Sequence, residues 1–234
     1  MIEIIPAVIP KSYKDLKEKL DRVANFVKMV QIDVMDGKFV SSKNWPYNGA
    51  DEEETQGVFN EDSGLPHWEN VDFELDMMVA HPEVEIERWI IAGAKRLIVH
   101  IESTTHVERI IRMLEEKKYL SRNSDEVGIE LGLALGVETS YEKILPYLED
   151  IQFVQFMGIA KIGYQGQPFD ERVVDHIRNF HNAHPEVIIS VDGGVNLDTA
   201  KQLVDAGAKR LVSGSTIFDS ENVADTLKQF KEVI

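Results

Sequence analysis

Hydrophobic residues along the chain follow two alternating spacings. Short, almost wholly apolar runs predict strands buried on both faces, and stretches with apolar residues three or four positions apart predict helices. The eight strand-like runs are Ile2–Val8, Val27–Val34, Val71–Val79, Arg96–Ile101, Gly128–Leu135, Phe153–Met157, Val187–Val191 and Arg210–Ser213. The seven helix-like stretches are Tyr13–Phe26, Val84–Ala92, Val107–Lys118, Tyr141–Leu148, Glu171–Asn182, Leu197–Ala206 and Val223–Val233. This alternation is typical of a parallel sheet with helical crossovers.

A short internal repeat favours a closed barrel over an open doubly wound sheet. The six residues Ala92–Leu97 recur as Ala206–Leu211, about half a chain length later. Each copy joins the end of a helix to the next strand, so the repeat spans about four strand–helix units. We therefore predict an α/β fold in which residues 1–234 form a single (β/α)8 TIM-barrel domain.

Residues 41–70 interrupt the alternation. They include the acidic run Asp51–Glu54 and scattered Gly, Pro and Asn residues, without a clear apolar stripe. One interpretation is an acidic, irregular insertion that replaces the second crossover helix. The alternative is a lid over the barrel mouth, because the segment follows the second strand.

Charge and composition narrow the classes of partner. The chain has 25 Lys and Arg against 41 Asp and Glu, a formal net charge of −16, which disfavours nucleic acid and anionic membranes. No apolar run approaches the roughly 20 residues that a membrane helix needs. The absence of cysteine excludes disulfides and thiolate catalysis. Met1–Pro6 lack the features of a signal peptide, so we expect a cytoplasmic protein.

Three carboxylates are predicted to converge at one end of the barrel. Active sites of such barrels form at the carboxyl ends of the strands. Strand alternation directs two sets of side chains inward together: Gln31, Asp33 and Met35, and Glu74, Asp76 and Met78. Asp192 ends the seventh strand. Clustered anions in a partly desolvated cavity need a cation or a shared proton, so this pattern predicts acid–base chemistry, with or without a metal.

Glycine-rich loops after the last three strands predict an anion site. The loop residues are Gly163, Tyr164, Gln165, Gly166, Gln167, Gly193, Gly194, Gly214 and Ser215. Glycines expose backbone N–H groups, and the loops after strands seven and eight are the usual phosphate site of these barrels. Local dipoles, rather than the overall charge, would bind the phosphate.

The segment Ile32–Val40 resembles the Asp-Val-Met-Asp-Gly-x-Phe-Val signature of ribulose-phosphate 3-epimerases. Further segments agree in order and spacing: Pro6–Ile9, Asp76–Val79, Gly163–Phe169, Val191–Val195 and Ser213–Phe218. The resemblance covers essentially the whole chain except residues 41–70.

The resemblance implies a role for each of these residues. Asp33 and Asp192 would exchange the proton at C3 of a pentulose 5-phosphate, one removing it from one face and the other returning it to the opposite face. The phosphate would bind at Gly163–Gly166, Gly193–Gly194 and Gly214–Ser215. Three methionines would line the intermediate: Met35, Met78 and Met157.

The sequence departs from the family at the metal site. The family holds a divalent metal with two histidines and the two aspartates, but the histidine positions here are Gln31 and Asp76. An all-oxygen set of Gln31, Asp33, Asp76 and Asp192 favours Mg²⁺ or Mn²⁺ over Zn²⁺. A competing interpretation is that Lys161 supplies a fixed positive charge instead. His100 is interpreted as a strand-end histidine with its own partner, rather than a replacement ligand.

Two further departures leave the substrate open. Ala7 stands where the family has a serine near the substrate, and Lys161-Ile162 replace an Asn-Pro pair. We expect an isomerase that interconverts ketopentose 5-phosphates as a ribulose-phosphate 3-epimerase does, and that forms a homo-oligomer. The alternatives are an epimerase or isomerase of a different ketose phosphate, and a phosphosugar-binding relative that has lost catalysis. The retained Asp33 and Asp192 argue against the last.

Overall fold

Eight parallel strands close into a barrel in chain order in the computed structural model, which describes residues 2–120 and 128–234. The strands are β1 Glu3–Val8, β2 Met29–Met35, β3 Asp72–Met78, β4 Ala94–His100, β5 Glu130–Leu135, β6 Phe153–Met157, β7 Ile188–Asp192 and β8 Arg210–Ser213. The barrel closes where β8 pairs with β1, with Arg210 opposite Glu3. The predicted single-domain TIM barrel is confirmed.

Helices connect the strands around the outside of the barrel. They are α1 Tyr13–Val23, α2 Glu52–Phe59, α3 Ile86–Ile91, α4 Val107–Glu116, α5 Arg172–Ala183, α6 Ala200–Ala206, α7 Ser215–Phe218 and α8 Val223–Val233. Both glycines of the internal repeat adopt positive φ, Gly93 at 98° after α3 and Gly207 at 126° after α6. These conformations suit glycine and end both helices before the next strand. No helix in the described ranges is long and apolar enough to cross a membrane.

The predicted helix Tyr141–Leu148 is wrong. Two short 3-10 helices occupy this stretch, Tyr141–Lys143 and Leu145–Tyr147. Pro146 explains the difference, because proline has no backbone N–H to donate and its ring clashes with the carbonyl of the preceding turn. A continuous α-helix is therefore interrupted at this point.

Residues 41–70 are not irregular throughout, contrary to the first interpretation of this segment. The eight-residue helix α2 forms within them, with only Thr55 and Val58 buried, so the sequence shows no visible apolar stripe. Glutamates in its first turn interact favourably with the helix dipole. Trp45 and Leu65 are fully buried, and the Trp45 indole donates a 2.7 Å hydrogen bond to the Thr55 hydroxyl. The interpretation of the segment as a lid stays a prediction.

The core has an outer layer and an inner layer. Outward-facing strand residues pack against the helices, with large buried contributions from Trp89, Phe180 and Phe230. Inside the barrel, small apolar clusters lie around Ala7 and around Phe153. The interior also contains buried polar side chains, including Gln31, Asp33, Asp76 and His100, and they are the basis of the candidate site.

Candidate active site

Three aspartates meet inside the carboxyl-terminal end of the barrel. Asp33 on β2 and Asp76 on β3 are register partners in the sheet, and Asp192 is the last residue of β7. One carboxylate oxygen from each residue lies within 4.8 Å of the other two. The structure thus brings together the three side chains whose convergence the alternation pattern predicts.

Two side chains, Gln31 and His100, form hydrogen bonds with these carboxylates. The Gln31 amide nitrogen donates to Asp33 Oδ1 at 2.8 Å and to Asp192 Oδ2 at 2.7 Å. The His100 ring nitrogen Nε2 lies 2.8 Å from Asp76 Oδ1, and it donates because a carboxylate can only accept. The three acids and these two partners therefore form one buried polar cluster.

His100 is a member of the cluster that the sequence interpretation did not include. It ends β4, next to β3, and it is fully buried. The alternation along β4 that directs Ile98 inward also directs His100 inward, so this signal was present in the sequence. The sequence interpretation expected His100 to have its own hydrogen-bond partner, and it has one. That partner is Asp76, which belongs to the site.

The environment raises the pKa of three members of the cluster, Asp33, Asp192 and His100. Burial raises the pKa of Asp33 well above its usual range, and the charges of Asp192 and Asp76 raise it further. Burial, followed by the charge of Asp76, raises the pKa of Asp192 to about 7. Burial opposes the charged form of His100, but the Asp76 carboxylate outweighs it and raises the pKa of the imidazole. A carboxyl group with a pKa near 7, as Asp192 has, can take up and release a proton near neutral pH.

Two buried oxygen atoms of the cluster lack hydrogen-bond partners among the described residues. They are Asp76 Oδ2 and Gln31 Oε1. A half turn of the Gln31 amide would exchange its nitrogen for its oxygen and add this oxygen to those of the three carboxylates. Oxygen-only donor sets fit hard divalent cations. The three aspartates therefore form a group that could hold a metal ion, and Gln31 could complete it.

A cavity of about 250 Å³ opens above the aspartates. Its wall includes most of the predicted site residues: Asp33, Met78, Met157, Gly163, Tyr164, Gln165, Gly166, Asp192, Gly193, Gly194, Gly214 and Ser215. Gln31 and Asp76 are fully buried, so they lie behind this wall. Met35 is also buried and packs against Val40 and Met78. The loops after β6, β7 and β8 therefore line the same cavity as Asp33 and Asp192.

The glycine pair after β7 cannot be replaced by larger residues without rearrangement. Gly193 and Gly194 have φ values of 97° and 68°. A Cβ atom at Gly193 would lie 2.7 Å from the side chain of Ile159, and one at Gly194 would lie 2.9 Å from the backbone of Phe169. Glycine therefore allows this loop to pass close to its neighbours at the cavity edge.

The loop after β6 lines the cavity and contacts residues that follow or belong to the first two strands. The Tyr164 hydroxyl lies 2.8 Å from Ser41 Oγ, which joins this loop to the segment after β2. The Gln165 amide donates to the carbonyl of Ala7 at 3.1 Å. The Lys161 ammonium is exposed and lies 4.4 Å from the centre of the Tyr164 ring. Lys161 is not part of the cavity wall, so its position does not favour it as the fixed charge of the site.

Comparison with known sequences identifies a family match along almost the whole chain. A model described as the ribulose-phosphate 3 epimerase family matches residues 3–218. A ribulose-phosphate 3-epimerase of Bacillus subtilis (strain 168) is 28% identical, with 100% of this chain and 98% of the relative covered. The ribulose-phosphate 3-epimerase of Schizosaccharomyces pombe (strain 972 / ATCC 24843) is 26% identical, over 99% of this chain and 93% of the relative.

Solved structures agree with the barrel architecture. A 3-keto-L-gulonate-6-phosphate decarboxylase from Vibrio cholerae O1 biovar El Tor matches with a TM-score of 0.70 at 13% identity, covering 99% of this chain and 96% of that one. A 3-hexulose-6-phosphate synthase matches with a TM-score of 0.68 at 17% identity, over 100% of both chains. At these identities the similarity shows the fold alone.

Proposed function

The chain belongs to the ribulose-phosphate 3-epimerase family, and from this premise we propose that it interconverts ketopentose 5-phosphates by inverting C3. The family match and its curated relatives support an epimerase-like enzyme of the isomerase class. The observation that carries the more specific reaction is the pair of carboxylates, Asp33 and Asp192, that share one cavity and one amide donor.

The two aspartates supply the acid and the base. Inversion at carbon requires removal of a proton from one face and return of a proton to the other. The raised pKa values of Asp33 and Asp192 mean that one carboxyl can hold a proton while the other is ionised. The Gln31 amide contacts both groups, so it keeps them in a fixed relative position.

Removal of the proton beside a carbonyl leaves an ene-diolate whose negative charge needs stabilisation. A divalent cation held by Asp33, Asp76 and Asp192 would supply positive charge to this oxyanion, with Mg²⁺ or Mn²⁺ favoured over Zn²⁺. Gln31 Oε1 could join these ligands only after the amide turns and gives up its hydrogen bonds to Asp33 and Asp192. Within the chain, the buried position of the cluster limits access of water and strengthens each electrostatic interaction. Met78 and Met157 offer an apolar wall to the carbon skeleton.

The glycine loops after β6, β7 and β8 are proposed to bind the phosphate. They line the cavity that contains the aspartates, and their backbones can approach an anion closely because glycine carries no side chain. Gly214 precedes α7 and lies against the Gln165 amide, which a Cβ atom at position 214 would approach to 2.4 Å.

A different ketose phosphate is the second candidate substrate, and one contact favours it. Ala7 lines the cavity without a hydroxyl, and the Gln165 amide reaches across to its carbonyl. The polar surface offered to the sugar at this wall therefore comes from a loop side chain instead of a strand residue. A panel of ketopentose and ketohexose phosphates distinguishes the two candidates by kcat/KM.

Solvent-deuterium exchange at C3 tests the proposed reaction. With Mg²⁺ present, Asp33→Asn and Asp192→Asn should each reduce exchange into ribulose 5-phosphate by at least about 10³-fold, while the substrate still binds. Asp198→Asn is the matched control, because Asp198 is an exposed acid that follows the glycine pair after β7. Full exchange in either cluster variant would show that the two-aspartate assignment is wrong.

The phosphate site has its own test. Phosphorylated sugar should bind much more tightly than the free sugar, and Gly214→Val should remove most of this difference by displacing Gln165 into the site. Calorimetric titration of the wild-type and Gly214→Val proteins with both sugars measures this difference in affinity. Equal affinity of the wild-type protein for the two sugars would contradict the proposed phosphate site.

A further inference from the structure

We infer that His100 is a positioning residue that orients the Asp76 carboxylate as a ligand for the cation of the proposed function. Its Nε2–H group donates to Asp76 Oδ1 and leaves Oδ2 without a partner among the described residues, in a carboxylate that lies close to those of Asp33 and Asp192. This inference rests on the proposed cation site and goes beyond it, because His100 would contact neither cation nor substrate.

The surroundings of His100 hold its ring in place. It is fully buried at the end of β4, and the Phe39 ring packs against it with centroids 5.4 Å apart. The backbone carbonyl of His100 accepts hydrogen bonds from the Ser103 backbone N–H at 2.9 Å and from the Ser103 hydroxyl at 2.8 Å. The ring therefore presents its Nε2 atom to Asp76 from a fixed backbone position.

The hydrogen bond determines which Asp76 oxygen is available. Asp76 is fully buried, so its carboxylate cannot turn toward water for solvation. A bond from His100 to Oδ1 fixes the carboxylate plane, and Oδ2 then remains as an unpartnered acceptor. A buried acceptor without a partner is unfavourable unless another group satisfies it. A cation among the three carboxylates would satisfy it.

The hydrogen bond to Asp76 is the main polar contact of the His100 ring, as the state of its second nitrogen, Nδ1, indicates. The buried Nδ1 atom has no hydrogen-bond partner among the residues that the structure describes. No Lys or Arg in the described ranges forms an ion pair with Asp76, whereas His100 lies within 2.8 Å of it. Outer partners of metal ligands typically change metal affinity by about 10–100-fold when they are removed.

Titration with Mn²⁺ alone, without substrate, tests the inference on the full-length protein. His100→Leu removes the donor and should weaken Mn²⁺ binding by about 10–100-fold. His100→Gln retains an amide N–H at a similar distance from the backbone and should restore most of the affinity. Circular dichroism and thermal unfolding with EDTA establish that the variants are folded. Should the leucine variant fail to fold, His100→Asn, whose shorter amide falls short of Asp76, replaces it.

A double-variant comparison separates positioning from general packing. In an Asp76→Asn background, adding His100→Leu should produce no further loss of Mn²⁺ affinity, because the residue through which His100 acts is already changed. Saturating Mn²⁺ should also return the kcat for deuterium exchange of His100→Leu to within a few-fold of the wild-type value, with the loss confined to the Mn²⁺ requirement.

The outcomes distinguish this inference from the proposed reaction. Wild-type-like Mn²⁺ affinity in His100→Leu, or an equal loss in both backgrounds, overturns the positioning role. Absence of Mn²⁺ binding by the wild-type protein overturns it too, and deuterium exchange that persists in EDTA would then still uphold the two-aspartate reaction. Mn²⁺ binding that depends on His100 without any deuterium exchange would uphold the positioning role and contradict the epimerase.

Discussion

Among the described residues, a cluster of three glutamates and a cluster of three aspartates lie at opposite ends of the barrel interior, in opposite electrostatic settings. At the amino-terminal end, Arg96 and Arg210 pair with three glutamates: Glu3, Glu74 and Glu130. The Arg96 guanidinium lies 3.1 Å from both Glu3 and Glu74, and Arg210 lies 2.7 Å from Glu130. At the carboxyl-terminal end, no Lys or Arg of the described chain pairs with the three aspartates, whose partners are an amide and an imidazole.

This difference separates a structural cluster from a functional one. Glu74 and Asp76 are two residues apart on β3 and are both buried, so burial alone does not distinguish them. What distinguishes them is the compensation of charge, because Glu74 faces a guanidinium and Asp76 does not. Buried charges without cationic partners are unfavourable for folding, and proteins retain them mainly at functional sites.

The largest change in the free energy of unfolding is expected when the cluster of arginines and glutamates at the amino-terminal end loses one arginine. At pH 8, where Glu74 of the wild-type protein is mostly ionised, Arg96→Met leaves this carboxylate buried without the guanidinium that lies 3.1 Å from it, and breaking a buried ion pair on one side destabilises by about 3–5 kcal/mol. Chemical denaturation measures the free energy of unfolding. Lys228→Met is the matched control, because its ion pair with Glu232 is exposed, and it should change stability little. A loss in Arg96→Met as small as that in the control would contradict the structural role.

The pH dependence of stability shows how completely the arginines compensate Glu74. Burial raises the pKa of Glu74 to about 7 although Arg96 acts to lower it. The Glu74 carboxyl therefore binds its proton more tightly in the folded state than in the unfolded chain. This proton stabilises the folded state at low pH, and the stabilisation is lost as pH rises from about 4.5 to about 7. The wild-type protein should lose up to about 3 kcal/mol of stability across this range relative to Glu74→Gln.

Urea denaturation of both proteins at several pH values gives this difference directly. Subtracting the Glu74→Gln values removes the contribution of other titrating groups that the two proteins share. A difference that does not vary with pH would mean that Arg96 and Arg210 compensate Glu74 fully in the folded state.

Neutralising one acid at the carboxyl-terminal end should stabilise the protein, whereas removing a cation at the amino-terminal end should destabilise it. Asp33→Asn removes one of three clustered charges but keeps an oxygen that can accept from the Gln31 amide. In EDTA at pH 8, this variant should be more stable than the wild-type protein by about 1–2 kcal/mol, while losing exchange activity. Thermal and urea unfolding measure the change. A destabilised Asp33→Asn protein would show that this cluster is compensated like the other one.

The smallest effect is expected at Lys161, the loop cation near the mouth. Its ammonium lies over the Tyr164 ring and outside the cavity wall, so Lys161→Met should change kcat in the presence of Mg²⁺ by less than about twofold. Steady-state kinetics with and without EDTA check this. Activity that survives EDTA in the wild-type protein but disappears in Lys161→Met would assign the compensating charge to Lys161 instead.

The sequence alone was sufficient to predict the barrel, because strand and helix periodicities are local properties of the chain. The predicted bounds of β6, β8 and α8 agree with the structure, and the repeat Ala92–Leu97 marks equivalent helix–strand junctions. Local signals were less reliable where few side chains are buried, as in α2, or where one proline outweighs the apolar pattern, as at Pro146.

Only the tertiary structure decided which polar residues compensate each other. The internal repeat includes Arg96 and Arg210, yet nothing in its sequence indicates that both arginines share Glu3 and Glu130 inside the barrel. Likewise, His100 and Asp76 are 24 positions apart and meet because β3 and β4 are neighbours. Alternation determines that a side chain points inward, but strand register and barrel closure determine which charge it meets, and that pairing separates the ion-paired end from the reactive one.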